Sequence, residues 1–198
     1  MTTATTSSGR EKLIQEGAAS FVQATIAMKE FVRIVQDECE SLALRNLNEI
    51  NRVMGTELSE EDLRRARKGS FLDPNDPWLY VYLALGDDRY ISIGLYWESV
   101  SGGGYQLHAI TTFSVSAAER GLCQRALERF RKLRKPTLGT FPYRGEDRHI
   151  TLHKPIPAEE AALFPRSIEF VLTGFLEEWE KIGGLKGVSG GPSKAAGK

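Results

Sequence analysis

The residues best suited to chemistry in this chain are few. Three histidines, His108, His149 and His153, and two cysteines, Cys39 and Cys123, are its main candidates for metal ligands, bases and thiol nucleophiles. His149 and His153 fall on an alternating, strand-like stretch. At ~3.3 Å per residue they stand ~13 Å apart on one face. Zinc ligands lie about 2 Å from a common point, so this pair cannot chelate one ion without a bend in the strand. Cys39 and Cys123 sit on apolar faces of predicted helices, where a thiol behaves as a small hydrophobe. The adjacent carboxylates Asp87-Asp88, Glu146-Asp147, Glu159-Glu160 and Glu177-Glu178 fall in predicted turns or on helix surfaces, the ordinary place for solvated charge. No GxSxG nucleophile elbow occurs, and Gly102-Gly103-Gly104 lacks the lysine and hydroxyl of a phosphate loop. The sequence therefore predicts no catalytic residue, no metal and no cofactor. Because catalytic groups converge in space rather than along the chain, a dispersed enzyme site around Tyr90, Glu98, His108 and His149 stands as a third functional reading.

Two surfaces point to binding instead. Trp78, Tyr80, Tyr82, Tyr90 and Tyr96 share one parity of two alternating stretches, which places them on one side of a hairpin. Tyrosine combines broad apolar contact with a hydroxyl that tolerates water, a combination favoured at interfaces. The alternative is that a helix of the same chain covers this side. The second surface is basic: Arg125, Arg129, Arg131, Lys132, Arg134 and Lys135, with Arg144, Arg148, His149 and Lys154 as a candidate extension and a smaller group at Arg64, Arg65, Arg67 and Lys68. Basic residues late in a helix offset its dipole, and the same cluster suits phosphates or an acidic partner.

Composition narrows the field. Twenty-six basic side chains balance 26 acidic ones, so no global field gathers polyanions. The scarcity of cysteine suggests a reducing, cytoplasmic compartment. No apolar run reaches the ~18 residues of a membrane span, and the Thr/Ser-rich start lacks the apolar core of a signal peptide.

The elements that must position these residues follow from periodicity. Residues 1–10 and 183–198 read as disordered tails, and 11–182 as a single α+β domain. A long helix is predicted over 11–54. It is striped by Phe21, Met28, Val35 and Leu42 at intervals of seven, with Gly55 as its C-cap. The stripe suits the domain's own sheet or the same helix of a second copy. Ser59 and Asp62 cap a short helix to about Lys68, and Asp73–Pro77 is a turn-rich linker. Strands follow at 78–85, 90–98 and 105–115, turning at Gly86-Asp87-Asp88 and Ser101–Gly104. A helix over 116–135 opens with the capping-box spacing Ser116…Glu119. Short strands at 138–143 and 148–154 precede a last helix over 158–182, striped by Ile168, Val171, Leu172, Phe175, Leu176, Trp179 and Ile182 and bent near Pro165.

The fold class is thus α+β: a two-layer antiparallel sheet spanning 78–154, of order α-β-β-β-α-β-β-α, packed with a long N-terminal and a C-terminal helix. Over about 11–182 this order resembles the class I type III secretion chaperones and related bacterial sensor-like domains. It also resembles the PD-(D/E)xK nuclease core, but the third strand reads Tyr105-Gln106-Leu107-His108-Ala109, without that family's carboxylate and lysine. The reading expected is a non-catalytic protein-binding domain, adaptor-like or chaperone-like. It holds a partner, or forms a homodimer, through the aromatic sheet face or the first helix. The alternative is a nucleic-acid-binding or processing factor working through the basic helix 120–135. No membrane partner is expected.

Overall fold

The computed structural model describes residues 7–65, 78–101, 104–133 and 148–189. The chain forms two compact units, Met1–Ile34 and Val35–Lys198. The first is the leading part of helix α1, Ser7–Arg45. The second holds the end of α1, helices α2 (Leu47–Met54), α3 (Arg120–Lys132), α4 (Phe164–Lys181) and α5 (Gly184–Ser189), and a five-stranded antiparallel sheet. Its strands are β1 (Leu63–Arg65), β2 (Trp78–Gly86), β3 (Arg89–Val100), β4 (Gly104–Ser114) and β5 (His149–Ile156), ordered β1-β2-β3-β4-β5. The fold is α+β, as the alternation implied.

Alternation explains the sheet. Leu79, Val81 and Leu83 of β2 face Leu95, Ile93 and Ile91 of β3, and Phe113 of β4 faces Ile150 of β5. All are buried. Helix α4 lays its stripe on this aliphatic face. Trp179 sits with its ring 4.9 Å from that of Phe113 and 5.5 Å from that of Phe130 of α3. Ile168, Val171, Leu172, Phe175, Leu176 and Ile182 are buried with it.

Several local expectations change. The long helix breaks at Asn46, whose side-chain amide donates to the Leu42 carbonyl at 2.9 Å and so competes with the helical ladder. Gly55 does cap α2, at φ 65°. Ser59 and Asp62 form their capping box, but around one 3-10 turn, Glu60–Asp62. The chain then pairs as β1 along β2, Leu63 opposite Leu83, instead of continuing as a helix, because the sheet edge offers β2 its missing backbone partners. Ser116 makes no side-chain cap; Glu119 instead turns to Arg89, which donates to it from Nε at 2.7 Å. Pro165 lies in the first turn of α4 after a 3-10 stretch, Ala158–Leu163, where its ring starts a helix without bending it. Part of the expected C-terminal tail is α5, with Leu185 and Val188 buried. The strand expected at 138–143, and residues 1–6 and 190–198 of the expected tails, lie outside the described residues.

One glycine is demanded by close approach. A Cβ on Gly94 of β3 would stand 2.1 Å from the Leu79 carbonyl oxygen and 2.6 Å from Tyr80 Cα. Gly94→Ala should therefore force β2 and β3 apart. We expect a loss of about 2–3 kcal/mol, at the upper end of overpacking, in urea unfolding followed by circular dichroism. A midpoint within error of the parent would show that the hairpin yields without cost.

Candidate functional site

Register places the expected aromatic residues together. On the sheet face opposite α4, Trp78 of β2 stands across from Tyr96 of β3, Tyr80 from Gly94, Tyr82 from Ser92 and Ala84 from Tyr90. The row continues into β4 and β5: Tyr96, His108 and Pro155; Ser92, Thr112 and Thr151; Tyr90, Ser114 and His149. The rings touch one another. Trp78 stacks on Tyr96 at 4.8 Å, and Tyr82 meets Tyr80 at 6.5 Å and Tyr90 at 6.0 Å. All five are half-buried. Helix α4, a candidate to cover them, packs on the aliphatic side instead.

A concavity of about 200 Å³ opens between Trp78, Tyr80 and Tyr90 on one side and Ser92, Thr112, Ser114, His149 and Thr151 on the other. Its floor is knitted across β4 and β5. Thr112 Oγ1 and Thr151 Oγ1 are 2.9 Å apart, and Ser114 Oγ and His149 Nδ1 2.7 Å apart. Burial, with Arg148 adding to it, lowers the His149 pKa below the ordinary imidazole value, so the ring is neutral near pH 7. Among the described residues that line it, none carries a full charge at that pH. The hydroxyls were not singled out from sequence, because only cross-strand register brings Ser92, Thr112 and Thr151 into one row.

A second polar cluster lies toward the other end of this face. His108 Nδ1 is 3.3 Å from His153 Nδ1, so one ring must donate and the other accept. His108 Nε2 stands 3.2 Å from Glu98 Oε1, off the line of a good hydrogen bond. The Tyr96 hydroxyl donates to Glu98 Oε2 at 2.5 Å. Burial raises the Tyr96 pKa, and the neighbouring carboxylate adds to it. Burial also lowers the His108 pKa, outweighing Glu98. His153 is thus drawn to His108 across the strands, and His149 to Ser114. The grouping of Tyr90, Glu98, His108 and His149 in one pocket does not form: Tyr90 and His149 line the concavity, whereas Glu98 and His108 do not. Tyr90, at the concavity, and Tyr96, in the second cluster, stand ~20 Å apart along β3 at strand rise. No metal-binding group of three or more His, Cys, Asp or Glu occurs among the described residues. Both cysteines are buried, and burial raises the Cys39 pKa.

The basic helix divides. Arg125 donates from Nε to the Val188 carbonyl at 3.1 Å and Arg129 from Nη1 to the Ile182 carbonyl at 3.1 Å, which fastens α5 and the end of α4 to α3. Arg131 and Lys132 are exposed, and Arg134 and Lys135 lie outside the described residues. Among the described residues, no helix is long and apolar enough to cross a membrane. Comparison with family models, with curated proteins and with solved structures gave no match.

The histidines make stability depend on pH. His108 and His149 both titrate lower in the fold than the ordinary 6.5. Above that value they are neutral folded or unfolded. Below it the unfolded chain takes up protons first, so stability falls. The melting temperature should drop by a few degrees from pH 7.5 to 5.5, and His108→Gln with His149→Gln should flatten the drop. A parent melting temperature unchanged across that interval would contradict the assignment.

Proposed function

We propose that this chain is a non-catalytic protein-binding domain whose sheet face captures an uncharged, ring-bearing side chain of its partner. The observation that carries the reading is the concavity beside Trp78, Tyr80 and Tyr90, with rings on one side and paired hydroxyls on the other. Rings offer planar apolar contact, and the hydroxyls offer hydrogen bonds to an amide or indole N–H. With no charged group among its described lining residues, the site favours a neutral guest over a carboxylate or an ammonium.

Size decides between a side chain and a cofactor-sized molecule. A cavity of ~150 Å³ admits benzene, whereas pockets for drug-sized ligands run ~300–1,000 Å³. The ~200 Å³ here suits one aromatic side chain. Ser114 and His149 have the spacing of a nucleophile and a base, but Ser114 is only 1% exposed, which leaves it little surface for a substrate.

The test uses side-chain mimics. N-acetyltryptophanamide and N-acetylphenylalaninamide at millimolar concentration should shift the Thr112 and Thr151 methyl resonances. N-acetylglutamate amide and N-acetyllysine amide should not. Tyr90→Ala should weaken the effect about three- to tenfold, the worth of one aromatic contact. Absent shifts, or equal shifts with the charged amides, would end this reading.

A further inference from the structure

The apolar side chains that helix α1 exposes in the first unit are numerous and large. Leu13 is 64% exposed, Ile14 61%, Phe21 72%, Val22 54% and Ile26 62%. Residues 17–28 contain no charge at all. Near the ends of this stretch Lys12 lies 3.9 Å from Glu16 and Glu30 2.5 Å from Arg33.

The apolar residues are ordered. Ile14, Phe21 and Met28 form one row at intervals of seven, and Ala18, Thr25 and Val32 form a second row between them. Alternating steps of three and four residues give a 3.5-residue period, which keeps a seam facing another helix as two helices wind together. The second row is small or β-branched, which lets a like helix approach closely. Of the five exposed side chains, Ile14 and Phe21 stand in the seam and Val22 beside it, together roughly two whole side chains. At ~150–250 Å² for a large side chain, that is on the order of 300–500 Å² per copy. The half-buried Met28 and Val32 of the seam add to it, which gives a pairing below the ~800 Å² per partner of a standard interface and therefore a weak, concentration-dependent one.

We propose that α1 pairs along residues 13–32 with α1 of a second copy, making the protein a homodimer held by a two-stranded coiled coil. The pairing uses none of the sheet-face residues, so either reading can fail without the other. Light scattering coupled to size-exclusion chromatography of the full chain should give a mass that rises with concentration toward twice the 22.0 kDa of one copy. Ile14→Glu with Phe21→Glu should return it to 22.0 kDa. Both positions are exposed in the single chain, so the melting temperature of the second unit and the amide spectrum of β2–β5 should stay unchanged. A parent protein at the single-chain mass at every concentration would overturn the proposal. So would a double variant that keeps the doubled mass while still folded, since the interface would then lie elsewhere.

Discussion

The second unit depends on the seating of α4 against the aliphatic face of the sheet. Trp179 is fully buried between Phe113 of the sheet, Phe130 of α3 and Phe175 of its own helix. A pleated strand has a side-chain period of two, so fixing one parity against a helix fixes where the other parity points. With Leu79, Val81 and Leu83 turned to α4, Trp78, Tyr80 and Tyr82 must turn away. A slip of one residue would bury three rings with polar groups and expose three aliphatic side chains. The aromatic face is therefore set by the same constraint as the core.

The rest of that face follows from the cost of burying polar atoms. Ser92, His108, Thr112, Ser114 and Thr151 are all buried. A buried hydroxyl without a partner costs about 1–3 kcal/mol. Thr112 meets Thr151, and Ser114 meets His149, at positions directly opposite in the β4–β5 ladder. These pairs exist in one register only, so they specify the pairing of β5 in a way that its apolar residues alone would not. Thr111, on the α4 side, shows the contrast: its hydroxyl is buried without a hydrogen-bond partner, and its methyl and branched Cβ are what fit the strand there.

The legible parts of the sequence were those with a strong period. The two-residue alternation of β2 and β3 and the stripe of α4 are long, and packing rewards them directly. Elements set by tertiary contact were not legible. Leu63-Arg64-Arg65 is too short to show a period and becomes a strand because β2 has an edge to fill. Residues 183–189, rich in glycine, read as a tail. Yet Gly184, at φ 64°, lets the chain run so close to the Val53 carbonyl that a Cβ would stand 2.2 Å from it, and Leu185 and Val188 then reach the core. The basic helix carried a mixed signal for a similar reason. Arg125 and Arg129 look like a surface charge cluster in sequence, and only the position of α5 shows that both guanidinium groups are held by main-chain carbonyls. For the site, the rings were visible as one parity, but the hydroxyl floor required the order of strands β3, β4 and β5.

That floor bears on how well such a face would bind. Association costs roughly 0.5–1.5 kcal/mol for each rotamer-rich side chain it immobilises. Tyrosine and tryptophan have two side-chain torsions each, and here Trp78 is stacked on Tyr96 while Tyr82 is wedged against Tyr80 and Tyr90. The hydroxyls below are tied in pairs across the strands. In the proposed role, a guest would meet groups already in place, and its contacts would count toward affinity with little lost to ordering the site. Rigidity of this kind also sets a limit. A floor whose hydroxyls already serve one another gives a guest hydrogen bonds only through lone pairs and protons left over, so shape and ring contact, more than polar recognition, would choose the partner.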